Sequence, residues 1–196
     1  MIECLLYGAP DTVNIQGVPV HIETGWRTSI SMDTLDKSNE RRYSLQILTS
    51  YYLNRQTKVL PEVVEAYPDE AIQQALDWRA AGFELINYGP PGSGRKSSKR
   101  LFDWDADTGI ITADFMRAYN INLFDTSTKM HWYLFCALLL SLMRSSDALI
   151  AQAVSARMPV PIEAKGDERK RLKRLAQSWA LPLNQDELIE DIKRRF

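Results

Sequence analysis

The sequence predicts a mainly α-helical fold, a multi-helix bundle with a short N-terminal β-hairpin. Apolar residues recur at spacings of three and four through most of the 196 residues. Regular alternation is confined to Thr12 through Ile22. The alternating strand-and-helix units of a parallel sheet are missing from the pattern. At 45% hydrophobic and 25% charged, the composition is that of an ordinary folded globular protein.

Taken in order, Val13 and Ile15, then Gln16-Gly17, then Val18, Val20 and Ile22 read as two strands around a glycine turn. Pro19 puts the second strand at an edge, where a missing N–H is tolerated. Trp26, Ile30 and Leu35 line one face of a first helix, ended by the Asp36 to Asn39 stretch. The next helix carries Tyr43, Ile47, Leu48, Tyr51 and Tyr52. Pro61 and Pro68 interrupt the chain beyond it. Pro68-Asp69-Glu70 opens another helix, with acidic groups favourably placed in its first turn. Its expected apolar face is Ile72, Ala75, Leu76 and the stem of Arg79, and Gly82 is expected to stop it.

Residues 89–100, Gly-Pro-Pro-Gly-Ser-Gly-Arg-Lys-Ser-Ser-Lys-Arg, have little to bury and predict a flexible loop. From Asp107 a helix carries Ile110, Ile111, Phe115 and Met116 as far as Tyr119-Asn120, with Asp105 or Asp107 as its N-cap. An apolar central helix runs from about Thr128 to Met143, and another from Ser146 to Met158, stopped by Pro159 and Pro161. Two polar helices close the chain, Asp167 to Trp179 and Gln185 to Arg195, separated by Pro182. The expected division is a helical domain of residues 1–160, which includes the hairpin and the loop, with a C-terminal helical pair of residues 161–196 packed on it.

Opposite charges nearly cancel to a net charge of -1, so no whole-molecule grip on nucleic acid or anionic membrane is indicated. The most apolar run, Met130 to Met143, falls short of the ~20 residues that span a bilayer. Met1-Ile2-Glu3-Cys4 lacks the basic start and long apolar core of a secretory signal. Cys4 and Cys136 lie far apart in no metal-ligand spacing, and Cys136 reads as a small buried hydrophobe. The expectation is a reduced, cytoplasmic setting with no membrane span.

Four constellations invite a chemical reading. Gly89 to Ser97 resembles a phosphate-binding loop, but that loop needs lysine directly after its last glycine. Here Arg95 takes the slot, Lys96 comes one residue late, and no helix opens after it to hold a phosphate at its N-terminus. Asp103-x-Asp105-x-Asp107 resembles a calcium loop, with Asp114 at its twelfth position. The sixth position, which must be glycine, is Thr108. His131 lacks a local acid or nucleophile, so a half-buried ring with satisfied nitrogens is the favoured reading. The basic run Arg169 to Arg174, with Arg95, Lys96, Lys99 and Arg100 upstream, could meet phosphates. Leu172, Leu175 and Trp179 nevertheless recur on one face of that helix, as on a solvated helix with an apolar stripe. No cofactor, metal or catalytic constellation is expected, and nucleic acid is not favoured as a partner.

Phe102-Asp103-Trp104-Asp105-x-Asp107 begins a stretch that resembles the bacteriophage gene-product-fifteen family of long-tailed phages and prophages. It continues through Ile111, Phe115, Tyr119-x-Ile121-x-Leu123, then Met130-His131-Trp132-Tyr133-x-Phe135-x-Ala137-Leu138. Arg157 matches a family arginine after the fifth helix. Asn120 and Asn122 replace the usual glycine and aspartate, and Tyr133 replaces a second tryptophan. The motif residues Asp103, Trp104, Asp105, Asp107, Phe115, Tyr119, His131, Trp132 and Phe135 are expected to be structural. Family members are usually encoded between the major tail protein and the tape-measure protein, where tail assembly chaperones are commonly found. The resemblance therefore implies a non-catalytic tail assembly factor in the host cytoplasm, binding the tape-measure protein or other tail proteins through a helix-in-groove contact. Tyr51, Tyr52 and Trp179 are the candidate contact aromatics, with core packing as the alternative for each. Self-association is left open. The rival roles are a tail or connector component kept in the virion, a nucleotide-binding protein and a nucleic-acid binder.

Overall fold

In the computed structural model the described residues are 8–84 and 101–182. The alternation near the N-terminus forms a hairpin, β1 (Thr12–Ile15) running antiparallel to β2 (Val18–His21). Gln16 and Gly17 both take positive φ, 51° and 81°. A type I′ turn needs this, and its twist suits the flanking strands. Ile15 pairs with Val18 beside the turn, which makes the next pair, Asn14 and Pro19, a non-hydrogen-bonded one. The missing N–H of Pro19 leaves no ladder bond unmade.

Eight α-helices accompany the hairpin among the described residues, so the fold is mainly α, as the sequence predicts. The chain divides into two units, residues 1–90 with 125–140 and residues 91–124 with 141–196. The expected boundary at residue 160 is not where the chain divides. Pairings between helices far apart in sequence decide the division instead.

In the first unit, α1 (Trp26–Ser31) continues as a 3₁₀ turn over Met32–Thr34. It ends before Leu35, which is already extended. α2 (Glu40–Tyr52) starts under the side chain of Asn39, which accepts from the Arg42 N–H, and it buries Ile47, Leu48, Tyr51 and Tyr52. A short α3 (Glu62–Ala66), which the sequence pattern does not signal, precedes α4 (Pro68–Glu84). The buried face of α4 is Ala71, Ala75 and Trp78, while Ile72 and Leu76 are only half-buried. Small side chains at 71 and 75 let α2 come close, and the Tyr52 hydroxyl donates to the Ala71 carbonyl at 2.8 Å. The Glu70 carboxylate accepts from both the backbone and the side chain of Gln16, tying α4 to the hairpin turn.

Gly82 does not stop α4, which runs on to Glu84. It is a point of close approach: a Cβ there would lie 2.6 Å from Trp132 Nε1. The Trp132 indole donates to the Arg79 carbonyl at 2.8 Å through the gap that the glycine leaves.

α6 (Trp132–Met143) begins later than the apolar run suggests. The residues before it pair with residues 24–26, through Trp132 N–H to Thr24 O (2.7 Å) and Trp26 N–H to Met130 O (3.2 Å). Arg27 holds the incoming strand by donating to the carbonyls of Thr128 (2.6 Å) and Asp125 (2.7 Å). Behind this pairing Trp26 stacks on Phe135 at 5.0 Å, and Phe135 on Trp132 at 5.7 Å.

The second unit is built from α5 (Trp104–Tyr119), α7 (Leu149–Arg157) and α8 (Gly166–Ser178). The N-cap of α5 is Asp103, whose carboxylate accepts from Ala106 N–H at 2.9 Å; the expectation of Asp105 or Asp107 is corrected. Asp103 is the residue with extended backbone, the geometry a capping side chain needs. At the other end Asn120 is left-handed, with φ 54°, and its N–H bonds to Met116 O. Asparagine is the best substitute for glycine in that conformation.

α7 starts at Leu149 rather than Ser146, and its own N-cap, Ala148, has no capping side chain. Asp114 of α5 supplies one, its fully buried carboxylate accepting from Ile150 N–H at 2.9 Å. Asp114 therefore serves as a remote helix cap, and its other oxygen accepts from Arg117 Nη2 at 3.0 Å. No described helix is long and apolar enough to cross a membrane. The expected loop 89–100 and the expected helix Gln185 to Arg195 lie outside the described residues.

Candidate functional site

The second unit holds a buried ion pair and, beside it, an apolar groove. Arg157, the last residue of α7, is 4% exposed. Its Nη1 and Nη2 donate to Asp107 Oδ2 and Oδ1, both at 2.7 Å, a bidentate fork. Nη1 also donates to Leu101 O (3.0 Å), and Nε to Trp179 O (2.6 Å). Asp107 accepts one further bond, from Asp103 N–H at 3.0 Å. One guanidinium thus joins α5, the segment before it, and the residue at the end of α8. A buried charge persists only when its polar groups are satisfied in this way.

The groove lies between α7 and α8, with a volume of about 900 Å³. α7 contributes Ala151, Ser155 and Ala156; α8 and its C-cap contribute Leu172, Leu175 and Trp179. The connection Met158-Pro159-Val160-Pro161 forms one wall. α8 forms because Asp167 and Glu168 favour its N-terminal dipole and because one stripe of it is apolar. None of its residues is fully buried. Met158 and Leu175, which line the groove, remain 53% and 39% exposed.

The sequence-predicted residues separate clearly. Asp103 caps α5 and Asp107 pairs with Arg157, while Asp105 is exposed in the first turn. Trp104 meets Phe102 edge-on at 4.7 Å, and the buried Phe115 meets Tyr119 edge-on at 5.6 Å. Trp132 and Phe135 are core. Tyr51 and Tyr52 are corrected as surface contacts. They are 2% and 4% exposed, with hydroxyls donating to Ser29 Oγ and Ala71 O. Trp179 is half-buried and lines the groove. Residues 89–97, read against a phosphate-binding loop, fall outside the described residues.

His131 is half-buried beside Trp78 and Tyr133. Its Nδ1 accepts from Tyr133 N–H at 3.1 Å, which places the proton of the neutral ring on Nε2. Nε2 is buried and makes no hydrogen bond of good geometry, although the Pro10 carbonyl favours its proton. Only one ring nitrogen is therefore fully satisfied. Burial lowers the pKa of His131, against the opposing pull of Pro10 and the charge of Asp11. This is the environment of a neutral packing histidine.

A family model described as "Bacteriophage Gp15 protein" matches residues 9–181. The chain belongs to the bacteriophage Gp15 family. It is a phage protein. No match is found among curated proteins or among solved structures. The Gp15 match takes in the whole of the 102–138 motif, the Arg157 fork and both walls of the groove.

The groove itself was only half legible. The Leu172, Leu175 and Trp179 stripe is visible as helical spacing, but α7 reads as an ordinary apolar helix. Its pairing with α8 depends on Arg157 reaching Trp179, and no local pattern announces that.

Proposed function

We propose that this Gp15 protein is a non-catalytic tail assembly factor that binds the tape-measure protein in the host cytoplasm before the tail tube forms. The observation that supports this reading is the apolar groove between α7 and α8, with Met158 and Leu175 exposed in its lining. A tape-measure protein offers long helical apolar stripes that aggregate when bare. A groove of this kind covers such a stripe by helix-in-groove contact. Trp179 is the aromatic anchor, because aromatic residues set into pockets carry much of the energy of such interfaces.

The test is co-expression of the full chain with the tape-measure protein of the same phage, followed by size-exclusion chromatography with light scattering. Soluble tape measure co-eluting with this chain supports the proposal. Aggregated tape measure, with this chain running alone, overturns it. Mass spectrometry of purified virions adds a second readout, since an assembly factor should be absent from the particle and a structural tail component present.

A further inference from the structure

We infer that the α7–α8 groove selects an amphipathic helix whose apolar stripe is bordered by acidic side chains. This inference rests on reading the groove as the partner-binding face. The groove interior is apolar, with Arg144 and Glu168 as the charged side chains among its lining residues. The helix that forms one wall is basic on its remaining faces. α8 carries Arg169, Lys170, Arg171, Lys173 and Arg174, all exposed.

At 100° per residue Leu172, Leu175 and Trp179 fall on one stripe, and Arg169 and Arg171 border it on either side. Of the two acids in the first turn of α8, Glu168 lies on the stripe and lines the groove at its N-terminal end, while Asp167 is exposed beside it. Past Glu168, a helix laid along the groove meets Leu172, Leu175 and Trp179 at its centre, with Arg169 and Arg171 along the α8 edges. Acidic flanks are attracted there and basic flanks repelled, the repulsive half of specificity. The same basic helix could suggest an anionic membrane surface. However, the stripe on α8 lines a groove whose other wall is α7, a two-sided shape that suits a helix better than a flat surface.

The experiment uses the full chain and two synthetic helical peptides with one shared leucine stripe, one bordered by glutamates and the other by lysines. Fluorescence anisotropy should show the glutamate peptide binding at least about tenfold more tightly, with the preference shrinking as salt is added. The double variant R169E/R171E should reverse the preference, and L175E should abolish binding of both peptides. Circular dichroism matching the unmodified chain shows that these exposed positions leave the fold intact.

Equal affinity for the two peptides, no binding of either, or a preference unmoved by R169E/R171E overturns the inference. So does binding to anionic phospholipid vesicles that L175E leaves unchanged. Tape-measure co-elution retained by R169E/R171E overturns the acidic-flank inference and leaves the proposed function standing. Glutamate-peptide binding without tape-measure co-elution does the reverse.

Discussion

The Asp107–Arg157 fork gives the most demanding test of the fold. Replacing Arg157 by methionine keeps much of the side-chain volume but removes every donor. The Asp107 side chain, 1% exposed, then keeps only its bond from Asp103 N–H. Stranding a buried charge in this way costs about 3–5 kcal/mol. The carbonyls of Leu101 and Trp179 lose their donor as well, but both residues are half-buried and water can reach them, so they add only about 1 kcal/mol. With a urea slope of about 2 kcal/mol per molar, the transition of this unit should move down by about 2–3 M.

The double variant D107L/R157M exchanges the pair for apolar side chains and should recover most of that loss, leaving a coupling of at least about 2 kcal/mol. The assay is urea denaturation followed by circular dichroism and by tryptophan fluorescence, whose agreement checks two-state behaviour. A single variant within about 1 kcal/mol of the original chain, or a double variant as unstable as the sum of its singles, would refute the reasoning.

Other contacts give further expected outcomes. Gly82→Ala should lower stability by about 1–3 kcal/mol, because its Cβ meets the Trp132 indole. Gly109→Ala, on the same kind of helix with nothing within 4 Å, should raise it by about 0.5–1 kcal/mol; thermal melts of the two should shift in opposite directions. His131 has a folded pKa below its ordinary 6.5, so the unfolded chain takes up its proton first as pH falls. The contribution from keeping this ring neutral is present above 6.5 and is lost on acidification through the lowered folded value. His131→Gln should therefore flatten the stability profile on the acid side of 6.5, and an unchanged slope counts against the burial argument. Burial pushes the Cys136 thiol up to about 12, so in a Cys4→Ser background iodoacetamide should label it only after denaturation.

The parts of this fold visible in the sequence are those governed by local physics. The alternation and the Gln16-Gly17 turn specify the hairpin, and the spacing of Ile47, Leu48, Tyr51 and Tyr52 specifies α2. The parts that were not visible depend on contacts between distant residues. Asp107 looks like a helix cap until Arg157, fifty positions on, is seen to occupy both of its oxygens. Gly82 looks like a helix stop until the Trp132 ring is seen against it. The apolar run at residue 128 looks helical until residues 130–132 are found paired with residues 24–26. Tyr51 and Tyr52 show the same ambiguity on the functional side, since helical spacing places an aromatic on a face without saying what covers that face.

The interleaving of the two units has a consequence for synthesis. The first unit takes its last residues from 125–140, after the chain has begun the second. Trp132 and Phe135, which bond to the Arg79 carbonyl and stack on Trp26, emerge from the ribosome some fifty and more than a hundred residues after those partners. The hairpin and α1 through α4 therefore lack the partners of Trp26 and Arg79 until about residue 140 has left the ribosome. A nascent chain with residue 90 just outside the ribosome should remain sensitive to protease, and one with residue 140 outside should be protected.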